Sequence, residues 1–229
     1  MPGKKLLRRV PQQARGTRRI RKILDAADKV FAQVGYEEAT TNAIARQART
    51  SIGSLYQFFP NKEAILDALA ARYLVELRAV QDHMLSKEAA LLPLPALYDR
   101  IIGSLAEFHA AHSGFQPLFY GSATSANLAA AGEQILQECI QRVDNLMAIR
   151  DPGFDPARRR LNATINVVVI RALLTYAQSS DEGFRSRLLA ETKILLLAYV
   201  KEVFGPRALL PAKPTPDGVP ARRASEGTR

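Results

Sequence analysis

The chain has 229 residues, 47% of them hydrophobic, and a formal net charge of +10. Its one cysteine, Cys139, excludes an intrachain disulfide and a cysteine-based metal site. No apolar run approaches the roughly 18–20 residues that span a bilayer, and Leu6-Leu7 is too short for the core of a secretory signal. A soluble protein of the reducing cytoplasm is therefore expected.

The positive charge is uneven. Residues 1–22 hold nine basic side chains and no acidic one. Residues 205–229 hold five basic against two acidic, so the body between is close to neutral. Residues 1–16 mix Pro2, Gly3, Pro11 and Gly16 with charges, and are expected to be a disordered basic arm. Such an arm suits phosphate neutralisation and the minor groove of DNA.

From Thr17 the pattern changes. Ile20, Ile23, Leu24, Ala27, Val30, Phe31 and Val34 recur at helical spacing, and Gly35 follows as a helix stop. Arg18 and Arg19 oppose the positive end of that helix, a cost that phosphate contact would offset. A short helix is expected over 42–48, opened by Thr41, with Ile44, Ala45 and Ala48 on its buried face. A second opens at Ser51 and runs to about 59, with Leu55 and Phe59 inward. That leaves Ile52, Gly53, Ser54, Tyr56 and Gln57 outside, a set without a carboxylate. Short uncharged side chains on a rigidly backed helix suit the major groove. Pro60 stops this helix, and Asn61 caps the next, over 61–86.

This stretch resembles the helix-turn-helix of the tetracycline-repressor (TetR) family of transcription factors. The resemblance rests on Thr40-Thr41, Ile44-Ala45, Ala48, Ser51, Gly53-Ser54-Leu55-Tyr56, Phe59 and Asn61-Lys62-Glu63, and extends back to about Arg18. It implies an all-α fold: a three-helix DNA-binding domain over 17–64, a helical effector-binding and dimerisation domain over 65–204, and a tail over 205–229. It implies base readout by Ile52, Ser54 and Gln57, with Asn42 beside them. Thr41, Tyr56 and Lys62 would contact phosphates, with Arg18 as a further candidate. Three residues depart from the family pattern. Arg49 stands where Gly is usual, so strain or another turn is expected. Thr50 alters the packing of the turn, and Phe58 replaces a side chain that often bonds phosphate.

The rest of the chain reads as helices over 61–86, 96–113, 127–150, 157–180 and 184–204, with a junction at 87–95. His112 falls near the apolar stripe that includes Phe108, and the segment 114–126 adds Phe119 among other aromatics. These three are candidates to line an effector pocket. Asn162 and Asn166 share an otherwise apolar face. They would bond across a dimer interface, bind a ligand's polar group, or lie at an exposed edge. The last helix is apolar over more than half its circumference, too much for one neighbour. Pairing of the last two helices with a second copy would bury the excess, through Val169, Leu173, Leu189, Leu196 and Val200.

No Ser/His/Asp set, metal-ligand spacing or glycine-rich phosphate loop is present, so neither enzyme, cofactor nor metal is expected. The reading is a homodimeric DNA-binding regulator, a repressor released from a palindromic operator by a largely apolar effector. The rival is a helical ligand-binding or adaptor protein whose reading head no longer binds DNA. A membrane-surface role for 1–24 is a weaker third.

Overall fold

The structure, a computed structural model, describes residues 14–112, 126–178, 180–205 and 210. Most of the expected arm and tail, and Phe119, lie outside them. The described residues form helices with no strand.

The first helix, α1 (Ala14–Glu38), buries Ile23, Leu24, Ala27, Val30 and Phe31, as its spacing predicts. Val34 departs from that stripe and is 50% exposed. The reason lies next door: Gly35 takes φ 75° and ψ 171°, so the helix breaks and its last turn is redirected. Only glycine adopts that conformation readily.

The second helix, α2 (Thr41–Gln47), is capped by Thr40 rather than by the expected Thr41. The Thr40 hydroxyl accepts from the Ala43 N–H at 3.1 Å. Thr41 is thus the first helical residue, and its hydroxyl is free to reach sideways. Arg49 follows at φ 49°, in the left-handed region. A non-glycine residue there costs about 1–2 kcal/mol, and no other described non-glycine residue has a positive φ.

The third helix, α3 (Ile52–Phe58), starts at Ser51, whose hydroxyl accepts from the Ser54 N–H at 3.1 Å. Leu55 and Phe59 are fully buried, and Phe58 is buried beside them. Phe58 is therefore a core residue, consistent with its replacing a side chain that often bonds phosphate. The fourth helix, α4 (Lys62–Met84), is capped by Asn61 through the Ala64 N–H. Its Ile65, Leu66, Leu69 and Tyr73 close one hydrophobic cluster over α1, α2 and α3. Its far end carries Met84 into a second cluster.

After a single turn, α5 (Lys87–Ala90), come α6 (Leu94–Ala111), α7 (Ala126–Arg150), α8 (Pro156–Gln178) and α9 (Glu182–Phe204). Helix α8 packs on both α7 and α9, and α6 lies against α4, α8 and α9. The second cluster joins Met84, Leu97, Tyr98, Ile101, Leu146, Ile170, Leu174, Leu196 and Val200. Arg78 of α4 and Glu138 of α7 pair through two bonds, at 2.8 and 3.0 Å. Helix α4 is thus packed in both the reading end and the body.

Candidate nucleic-acid interface and effector cavity

The outer face of α3 shows Ile52, Gly53, Tyr56 and Gln57 exposed, with Ser51 beside them. Ser54 is half-buried because Arg19 of α1 donates to its hydroxyl at 3.2 Å. The Thr41 and Tyr56 hydroxyls lie 3.0 Å apart and join α2 to α3. Asn42 is exposed at the start of α2, and Arg18 is exposed on α1. The Arg19–Ser54 and Thr41–Tyr56 contacts tie α1 and α2 to the face of α3, and none of these residues is acidic.

Lys62 differs from the expectation. Its ammonium donates to the Tyr36 carbonyl at 2.7 Å and the Glu37 carbonyl at 2.9 Å. It also sits 4.4 Å from the centre of the Tyr36 ring. Two of its three N–H bonds therefore tie the end of α1 to the start of α4. Its first role is structural: a cation on the carbonyl end of a helix.

The body encloses a cavity of about 280 Å³ between α4, α6, α7 and α8. Its wall is mostly apolar, with Leu77, Met84, Leu97, Ile101, Leu105, Leu136, Val143 and Ile170 prominent. A few polar groups interrupt it. The Tyr98 hydroxyl donates to the Asn166 side-chain oxygen Oδ1, and burial pushes the Tyr98 phenol above its ordinary pKa. The Asn166 amide in turn donates to the Asn162 carbonyl at 2.9 Å and to its side-chain oxygen at 3.1 Å. Gln81 is only 3% exposed, and its side-chain oxygen has no partner. Burial holds the His109 imidazole below its usual pKa, so it sits in the wall as a neutral ring. The same effect raises the Cys139 thiol to about 11, which makes it an unreactive lining group.

Two family profiles match the chain. "Bacterial regulatory proteins, tetR family" covers residues 23–69. "Tetracyclin repressor-like, C-terminal domain" covers residues 93–199, so the two together account for well over half the sequence. The chain belongs to the TetR family.

A relative from Bacillus subtilis, an uncharacterized HTH-type transcriptional regulator named YhgD, is 30% identical over 122 residues. That match spans 53% of this chain and 59% of the relative's length. Among solved structures, the fatty acid degradation regulator FadR of Bacillus halodurans aligns with a TM-score of 0.61 at 19% identity. The alignment covers 78% of this chain and 94% of that one. FadR of Bacillus subtilis, solved with stearoyl-CoA, aligns with a TM-score of 0.55 at 20% identity, over 81% of this chain and 98% of that one. At such identities the likeness to the two structures is one of fold.

Against this TetR fold, the effector candidates need revision. Asn166 lines the cavity, whereas Asn162 lies behind it as its hydrogen-bond partner. Both are buried within one chain, which rules out an interface or an exposed edge for them. His112 is not in the cavity wall. Its Nε2 lies 2.6 Å from a Glu76 carboxylate oxygen, and its ring packs between Tyr73 and Phe108. Phe108 is core there, outside the lining. His109, three residues before His112, is the histidine that lines the cavity. Gln81 was missed because one amide on a long helix carries no distinguishing pattern.

The expected pairing residues change as well. Leu196 and Val200 are 1% and 2% exposed, locked in the chain's own second cluster. Val169 and Leu189 pack against that cluster, and Leu173 is half-buried. The outward apolar face is a different one. It carries Leu161, Val168 and Tyr176 on α8, and Phe184, Ile194 and Leu195 on α9. Ile194 and Leu196 differ by about 200° around the helix, so one sequence pattern served two faces.

Proposed function

We propose that this TetR-family chain is a homodimeric, DNA-binding transcriptional regulator controlled by a small molecule. The carrying observation is the face of α3. Ile52, Gly53, Tyr56 and Gln57 project from a helix whose back is fixed by Leu55, Phe58 and Phe59. A rigid helix with exposed, uncharged side chains reads base edges: Ile52 against a thymine methyl, Gln57 across an adenine edge. Asn42, Ser51 and Ser54 flank them, while Arg18, Thr41 and Tyr56 serve the backbone. Residues 17–64 act as the reading head and 65–204 as the body.

Two heads need a two-fold axis. The outward apolar face on α8 and α9 would form it as a four-helix bundle with a second copy. That symmetry calls for a palindromic operator. Repression is the direction we assign, and no enzymatic step is assigned. Such a regulator works beside the chromosome, in the cytoplasm; no described helix is long and apolar enough to cross a membrane.

The cavity would hold the effector. Leu77, Gln81 and Met84 belong both to its wall and to α4, which also packs into the head. An occupant that prefers one placement of α4 therefore biases the spacing of the two heads; equal affinity for both placements would shift nothing. The wall suits a largely apolar molecule, and the stearoyl-CoA in the B. subtilis FadR structure makes a fatty acyl chain a reasonable first probe.

A gel shift with the DNA upstream of the gene tests the reading. A band that survives competitor DNA near physiological salt, and a Gln57→Ala variant with relaxed preference at one position, are expected. If no specific band survives, the rival, a helical ligand-binding or adaptor protein with a silent head, takes over.

A further inference from the structure

Beside the reading helix lies a hollow with its own chemistry. The first turns of α1 and the turn between α2 and α3 form its walls. Arg15, Arg18, Arg19, Lys22 and Arg49 line it, over a floor that includes Ile23 and Ala48. No acidic side chain takes part.

We propose that this hollow binds a phosphodiester of the DNA backbone flanking the bases that α3 reads. The proposal rests on the DNA-binding reading and extends its contact surface beyond the recognition helix. Four observations carry it.

First, the cations are not neutralised from within. Among the described residues, the side chains of Arg15, Arg18, Lys22 and Arg49 have no hydrogen bond or ion pair, and that of Arg19 donates to a neutral hydroxyl. The nearest acid along α1, Asp25, is held 2.6 Å from Arg72 of α4. Second, α1 brings Arg15, Arg18, Arg19 and Lys22 together with no acid in its first described turn. Like charges three and four residues apart on a helix disfavour the arrangement until an anion arrives. Third, Arg49 contributes its charge from a left-handed backbone at φ 49°. Glycine would hold the same turn without strain but would remove one wall of the hollow. Strain that persists in a packed turn points to a use for the side chain. Fourth, the hollow is continuous with the reading face. Arg19 lines it and also bonds Ser54 on α3.

The geometry favours a polymer's phosphate over a small metabolite. The hollow opens to solvent on one side and offers no aromatic or amide group to hold a base or sugar. Guanidinium forks match paired phosphate oxygens.

The test uses the full-length chain and an operator duplex, with affinity followed by fluorescence anisotropy across a salt series. Arg49→Gly should raise or preserve the melting temperature, because it relieves the turn. It should also lower the slope of log K against log salt by about 1.8, one phosphate for each of two hollows in a dimer. Base preference should stay unchanged, unlike that of Gln57→Ala. The double variant Arg18→Ala, Lys22→Ala should act in the same direction. Slopes equal to wild type in both variants would overturn the proposal. Inorganic phosphate separates the two sources of the anion. If it raises the wild-type melting temperature at constant ionic strength while the salt slopes for DNA stay equal, the hollow is a free-anion site and the proposal fails. A wild-type chain that forms no specific complex at all would remove the DNA reading itself, and the proposal with it.

Discussion

Ile194 and Leu196 stand two residues apart on α9 and separate two kinds of apolar surface. Ile194 is 58% exposed and belongs to the face we assign to the second subunit. Leu196 is 1% exposed and belongs to the chain's own core. Burying a whole Ile side chain is worth about 1.5–3 kcal/mol. The exposed share of Ile194 is thus worth roughly 1–1.7 kcal/mol, and each dimer carries it twice. Ile194→Glu should therefore weaken dimerisation by at least about 2–3 kcal/mol, roughly 30- to 150-fold in Kd. The buried carboxylate adds to that loss. Leu196→Glu places an unpaired charge inside the chain and costs about 3–5 kcal/mol of folding stability, a large part of a marginal total. Sedimentation equilibrium with far-ultraviolet circular dichroism separates the two. Ile194→Glu should be a helical monomer at micromolar concentration; Leu196→Glu should lose helix. A helical Ile194→Glu dimer of wild-type affinity would refute the interface. A helical, monomeric Leu196→Glu would refute the packing of α9.

Three further outcomes follow from the same geometry. Lys62→Met removes two charge-assisted bonds and the contact with the Tyr36 ring, and should lower stability by about 2 kcal/mol in thermal melts; an unchanged melt with a reduced salt slope would return Lys62 to a purely phosphate role. Gln81→Leu removes a buried acceptor with no partner and should stabilise the chain by about 1–3 kcal/mol; a lower melting temperature would mean the oxygen is satisfied. Burial lowers the folded-state pKa of His109 below 6.5. As pH falls through 6.5 the unfolded chain therefore takes up the proton first, and stability declines until the folded pKa is reached. His109→Gln should flatten that decline in melts between about pH 7 and pH 5, and an identical decline would place the titration elsewhere.

The reading head was legible residue by residue because its determinants are local. Capping side-chain oxygens at Ser51 and Asn61, the stop at Pro60 and the inward pair Leu55 and Phe59 act within one or two turns of chain. Even so, the cap of α2 shifted by one residue to Thr40, since Thr40 and Thr41 are chemically equivalent candidates and only the course of the backbone separates them. Strain or another turn was expected at Arg49 from the residue type, and its backbone is left-handed. The apolar excess of the last helix was also legible, and Ile194 and Leu195 remain exposed as that excess requires.

What the tertiary structure decided was direction. Helices α8 and α9 carry more than one apolar stripe, so periodicity cannot say which stripe meets α6 and which meets a partner. Packing put Leu196 and Val200 inside and left Ile194 outside. It assigned the cavity to His109 and Asn166, and gave His112 to Glu76, because neighbouring positions on α6 face different helices. It gave Lys62 a clasp on the end of α1. It also gathered Arg15, Arg18, Arg19, Lys22 and Arg49 around one hollow. The sequence by itself determined the elements and their chemistry; which face met which neighbour depended on contacts between residues far apart in the chain.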